Sequence, residues 1–192
     1  NTPDYLKKKI TQAPTTALPK DEVLQMIREY KNENNPKDYR IYTICLVNLI
    51  TANRPSEMVI LQIKDFDLAK REVIVPLVKQ QNAHIKRLTV EAVQAVQNYI
   101  KLFNLKPDDY FVGYVNRWGN YVPKTISENS YRKAMQRWLQ VAPYTLRKTQ
   151  ITSMHKKKAD LATIAKQSGH KSLQTISDHY LKIDGTDLDD YI

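Results

Sequence analysis

A single cysteine, Cys45, excludes an intramolecular disulfide, and its place in the apolar run ICLVNLI marks a small buried thiol rather than a redox or nucleophilic one. Glycine is scarce, and no glycine-rich loop able to cradle a phosphate occurs. The four histidines (His84, His155, His170, His179) show no spacing with carboxylates or cysteines that would argue for zinc, and HExxH and CxxC patterns are missing. No metal or other cofactor is therefore expected. No apolar stretch reaches the roughly 18 to 20 residues that span a bilayer, and no charged-then-apolar leader opens the chain. The protein is expected to be soluble and cytoplasmic, with no membrane partner. Internal repeats and coiled-coil heptads are also lacking. Negative charge is in deficit: 20 acidic residues face 30 lysines and arginines, a net charge of +10, which favours a polyanion such as nucleic acid or an anionic surface.

What is present reads as one domain, since 192 residues suffice for a sizeable core. Residues 1–18 carry Pro, Thr and Lys without a sustained apolar period, and read as a linker, the whole being expected to be a fragment of a longer protein. Residues 19–182 form the domain proper, and 183–192 an acidic tail. After Pro19 the segment KDEVLQMIREYK puts Val23, Leu24, Ile27 and Tyr30 on one helical face, and Tyr39 to Thr51 predicts a second, more apolar helix ended by a left-handed Asn53. Arg54 precedes Pro55 and is pushed out of the helical region, while Pro55 suits the start of a new helix through Glu57, Met58 and Leu61. Arg54 thus sits at a helix junction. The runs EVIVPLVK and HIKRLTV predict a hairpin around QQNA, with Pro76 confined to an edge or to the end of its ladder. Further helices are expected over Glu91–Leu102, over Ser130–Val141 and from Thr145 onward, with a short strand at Tyr110–Val115.

Chemistry concentrates at both ends of this pattern. Arg54 opens a segment with Glu57, Leu61 and Asp65 at regular intervals, inside TANRPSEMVILQIKDFD. Arg147 stands in YTLRKT, His170 follows 23 residues later behind Gly169, and Tyr180 follows ten after that. Two guanidinium forks can hold both non-bridging oxygens of a reacting phosphate. From Tyr144 to Lys182 eight lysines and arginines face only Asp160 and Asp178, so more than half of the net charge lies around these residues. Beyond Ile183 the sign reverses.

In that order, over roughly Leu18 to Leu181, the motifs resemble the catalytic domain of a tyrosine recombinase of the phage integrase family. The resemblance implies a mainly α fold with a small antiparallel β-sheet or hairpin. It implies a site-specific DNA recombinase that cleaves and rejoins strands through a 3′-phosphotyrosyl intermediate, for integration or excision of a mobile element. Tyr180 would be the nucleophile, Arg54, Arg147 and His170 the phosphate ligands, and Lys79 on the hairpin the acid for the leaving 5′ oxygen, with Lys86 and Lys171 as rivals. The family usually has histidine where Tyr144 stands. A phenol with a pKa near ~10 is a poor base at neutral pH, so Tyr144 is expected to donate to a phosphate oxygen. Glu57 is expected to support the site structurally, and Lys86, Arg87, Lys148 and Lys171 to contact DNA. The partners implied are double-stranded recombination sites bound by a homotetramer that is monomeric when free, with the acidic tail docking on a neighbouring protomer. The resemblance also implies that the linker 1–18 leads from a missing N-terminal DNA-binding region. Three alternatives stay open: a non-catalytic DNA-binding protein on the same fold, an enzyme of the type IB topoisomerase or telomere resolvase kind, and, least favoured, a basic lipid-surface or RNA-binding module.

Overall fold

The computed structural model describes residues 17–76, 83–180 and 188–189, and for 178–180 the backbone alone. Helix α1 (Lys20–Arg28) buries Val23 and Ile27, one turn apart, and carries Asp21 and Glu22 in its first turn, where the helix dipole favours acids. Helix α2 (Pro36–Thr51) starts from an Asn35 side chain that accepts from the Asp38 amide, with proline at its first position. It is buried from Tyr39 to Thr51 save for Ile41, so it becomes the central helix, packed on α1, on α4 (Val90–Phe103) and on α6 (Thr145–Lys156). Each large aliphatic side chain sealed there, Leu46 and Leu49 among them, contributes about 1.5 to 3 kcal/mol. Cys45 is fully buried beside Met135, and burial pushes its thiol pKa up.

The end of α2 departs by one residue from expectation. Ala52, not Asn53, takes the left-handed conformation, with φ 53°. Asn53 is held instead by local side-chain bonds: its carbonyl accepts from Asn48 Nδ2 (2.9 Å) and its amide donates to Thr51 Oγ1 (3.3 Å). The next helix, α3 (Pro55–Met58), is a single turn and stops short of Leu61. The Phe111 amide draws the Leu61 carbonyl into a bond of 2.8 Å, which takes the chain out of the helix toward a short 3₁₀ turn at Ile63–Asp65.

Three strands, β1 (Phe66–Asp67), β2 (Glu72–Pro76) and β3 (Ala83–Arg87), form an antiparallel sheet with β2 in the centre. Pro76 ends the β2 ladder opposite Ala83, where its missing N–H is tolerated. Residues 77–82, which carry the turn and Lys79, lie outside the described residues. Val73 pairs with Lys86, so the lysine shares the buried face of the sheet while Ile85 points outward. The strand expected over Tyr110–Val115 is shorter than that: Tyr110 makes only an isolated bridge to Gln62, and β4 (Tyr114–Val115) pairs with β5 (Tyr121–Val122). Gly113 interrupts it with φ 57°, and a Cβ there would overlap the Val122 carbonyl oxygen.

Helix α5 (Glu128–Leu139) is capped by Ser127, and α7 (Leu161–Ser168) by Asp160. With α8 (Leu173–Tyr180) they complete the domain. A small second core of Ala52, Ile151, Ile164 and Ile176 pins the end of α2 to α6, α7 and α8. That pinning brings three distant segments of sequence to one place. Among the described residues no helix is long and apolar enough to cross a membrane.

Candidate active site

The C-terminus of α2 leaves carbonyls without helical partners, and side chains from three other elements take them. Gln150 and Gln167 donate to the Ile50 oxygen (3.1 and 2.8 Å), Lys86 to that of Thr51 (3.1 Å) and Arg147 to that of Ala52 (2.6 Å). Lys86 and Arg147 thereby meet the negative end of the helix dipole.

Arg147, on α6, is 1% exposed. Its Nη1 also donates to the Ser168 carbonyl (2.9 Å), and its Nη2 lies 3.1 and 3.0 Å from the two ring nitrogens of His170. A guanidinium only donates, so the imidazole nitrogen that accepts from it carries no proton. Ser168 Oγ stands 2.6 Å from His170 Nδ1 and fixes the ring from the other side. Gly169 makes this approach feasible: it ends α7 with φ 77°, and the reversal swings His170 back onto Arg147.

Arg54, at the first cap of α3, is extended before Pro55, with φ −72° and ψ 155°. Its amide donates to Glu57 Oε1 (2.8 Å), and its guanidinium lies 3.8 Å from the same oxygen. The Glu57 carboxylate is 3.8 Å from Lys86 Nζ and 3.9 Å from Arg147 Nη1 as well. One carboxylate therefore faces two guanidiniums and a buried amine, which leaves the group net positive. Arg54 alone of the three reaches toward solvent, its side chain 38% exposed. This is a setting in which an incoming dianion is favoured, held by fixed N–H donors in a partly dry site.

The structure thus brings Arg54, Glu57, Arg147 and His170 together, as expected from the motifs. Lys86 is corrected. Expected on a DNA-facing surface, it is fully buried, its ammonium bound to the Thr51 and Ser168 carbonyls (3.1 and 3.2 Å). Desolvation lowers its pKa to about 7, opposed by Glu57 and reinforced by Arg147 and Arg54. Tyr144 precedes α6 at the flank of the site. Its hydroxyl accepts from Arg132 Nη2 (3.2 Å) and makes no bond to Arg147 or His170. Arg87 and Lys171 are exposed, Arg87 donating to the Lys70 carbonyl, and Lys148 is half-buried beside Arg147. Tyr180 closes α8 by its backbone; its side chain, like Lys79, lies outside the described residues.

Ser168, Gln150, Gln167 and Arg132 escaped the sequence reading. Only Ser168, adjoining the Gly-His pair, carried a signal. Among the described residues no three His, Cys, Asp or Glu side chains gather where a metal ion could be held.

The sequence matches the model of the phage integrase family over residues 16–186. Its fold is similar to that of XerA recombinase, with a TM-score of 0.73 and 22% identity over 93% of this chain and 64% of that one. It is similar to XerH site-specific recombinase bound to its difH substrate (TM-score 0.69, 19% identity, 93% of this chain and 54% of that one). The integrase of transposon Tn1549, in complex with transposon right end DNA, gives 0.61 at 17% identity over 94% and 66%. The chain spans between half and two thirds of these proteins' lengths. No curated protein matches the sequence.

Proposed function

The chain belongs to the phage integrase family, the tyrosine recombinases, and from that premise we propose that it cleaves and rejoins double-stranded DNA at specific sites. The observation that supports this most is the convergence of Arg54 and Arg147 on a single Glu57, with His170 held against Arg147. In this reading the Tyr180 oxygen attacks a scissile phosphorus as its proton passes to solvent. The two arginines and His170 hold the non-bridging oxygens as charge develops on them. The bond from phosphorus to the 5′ oxygen breaks, Lys79 gives that oxygen a proton, and the strand's 3′ end stays on Tyr180 as a phosphotyrosine. The bond energy is retained, so a 5′ hydroxyl from another strand reverses the step on a new partner. Lys86 takes a supporting part, holding Glu57 and the ends of α2 and α7 in place. Tyr144 donates to the phosphate when it leaves Arg132, and Arg87, Lys148 and Lys171 contact the DNA backbone. Four protomers act on two duplexes, with the acidic tail 183–192 docked between neighbours, and the biological outcome is integration or excision of a mobile element.

Exchange between duplexes is the property that separates this reading from a topoisomerase. The full-length protein is expected to join strands of two labelled duplexes sharing its site. Relaxation of a single supercoiled plasmid without any exchanged product would instead assign it to the topoisomerase class.

A further inference from the structure

At the opposite end of α2 from the catalytic cluster lies a second cationic feature, centred on Arg40. The separation along the helix is roughly 16 Å at 1.5 Å per residue. Arg40 is 4% exposed, yet no carboxylate among the described residues pairs with it. Its Nε and Nη2 donate to the Val112 carbonyl (3.2 and 2.7 Å) and Nη2 to that of Gly113 (3.3 Å). Its guanidinium sits 4.9 Å from the ring centre of Tyr121 and 5.5 Å from that of Trp138. Arg40 lines a cavity of about 580 Å³, with the Tyr99 and Tyr121 hydroxyls also beside its guanidinium. Buried charges are ordinarily paired, so this one lacks its counter-ion.

The rest of the cavity supplies what such a counter-ion would need. One face of α5 lines it with Ser127, Ser130, Lys133 and Arg137, positions spaced at i, i+3, i+6 and i+10, and no acidic residue contributes. Lys133 and Arg137 are exposed and ion-paired to no described residue. Ser127 and Ser130 belong to the N-terminal turn of this twelve-residue helix, where backbone amides and the dipole favour an anion. The volume is that of a small-molecule site.

We propose that this cavity binds a small phosphate-bearing molecule, its oxygens held by Arg40 at the floor and by Lys133 and Arg137 at the mouth. A guanidinium, hydroxyls and two further cations suit a tetrahedral dianion better than one carboxylate. Duplex DNA fits poorly. Its phosphates lie on a convex cylinder between sugars, and they cannot carry an oxygen down to a side chain this deeply recessed.

Trp138 lines the cavity and stacks near Arg40, so its fluorescence reports on occupancy once the exposed Trp118 is removed as Trp118→Phe. Titration of that protein with pyrophosphate is expected to give a saturable change in Trp138 emission. Lys133→Gln with Arg137→Gln, both at exposed positions, is expected to weaken the response roughly 10-fold or more, since two charge-assisted contacts are lost. The absence of a saturable change, or an equal response in the double variant, would overturn the proposal. A response to duplex DNA or to an acidic peptide of residues 183–192 that pyrophosphate does not elicit would overturn it too.

Discussion

Replacing Arg147 by alanine is expected to cost roughly 3 to 5 kcal/mol of stability and to lower covalent attachment to DNA by about 100- to 1,000-fold. Both effects come from one buried fork. Its Nη1 ties the end of α2, through Ala52, to the end of α7, through Ser168, while Nη2 holds His170. Truncation leaves the buried Ala52 carbonyl without its side-chain donor, the Ser168 carbonyl with Lys86 alone, and Glu57 without one of its cations. Arg147→Lys separates the two contributions: it retains the charge, and with it part of the stability, but a lysine cannot span Ala52, Ser168 and His170 together. Urea melts read the first effect and the yield of DNA-linked protein the second. A stable Arg147→Ala variant with full attachment would remove Arg147 from the site.

The second large effect concerns pH and Lys86. Its folded pKa is lowered to about 7 from the ordinary 10.5, chiefly by burial, with Arg147 and Arg54 adding to the shift and Glu57 opposing it. Below about pH 7 the lysine is charged in both states, so the burial penalty is fully present and does not vary with pH. Between about 7 and 10.5 the folded protein has released a proton that the unfolded chain still binds, so stability rises with pH. Relative to Lys86→Met, the wild-type protein is expected to gain about 1.4 kcal/mol per pH unit across the middle of that window. The difference between the two proteins cancels the tyrosines and surface lysines that titrate alongside. Parallel stability curves for the two would mean that Lys86 is neither desolvated nor alone in the core.

The contrast between Lys86 and Arg147 shows where the sequence speaks and where it falls silent. Arg147 and His170 stand in register along one stretch, and the junction at Arg54 is written locally by Pro55, so the meeting of these three was legible before any coordinates, while the Tyr180 side chain lies outside the described residues. Helices α1, α2, α4 and α5 followed from their apolar periods, and the hairpin from two β-rich runs. Lys86 was not legible. In HIKRL the alternation reads as Ile85 inward and Lys86 outward, and the register with Val73 reverses it, because the ends of α2 and α7 offer carbonyls and Glu57 a charge on the inner face. Those partners lie 35 and 82 residues away from Lys86 in the chain. The same distance effect cut α3 short of Leu61, whose carbonyl is taken by the Phe111 amide, whereas the end of α2 moved from Asn53 to Ala52 through local bonds to Asn48 and Thr51. Tyr144 was placed correctly beside Arg147 in sequence, while its engagement by Arg132 depends on the packing of α5 against the start of α6.

The most direct test of the central claim is to trap the protein on nicked duplex DNA carrying its recombination site, denature it, and map the DNA-linked peptide by mass spectrometry. Mapping is needed because the chain has 12 tyrosines. The account predicts a phosphotyrosine adduct on Tyr180 alone, lost in Tyr180→Phe while DNA binding persists. An adduct on another residue, undiminished attachment in Tyr180→Phe, or no adduct from full-length protein shown to be bound to its native DNA would contradict it.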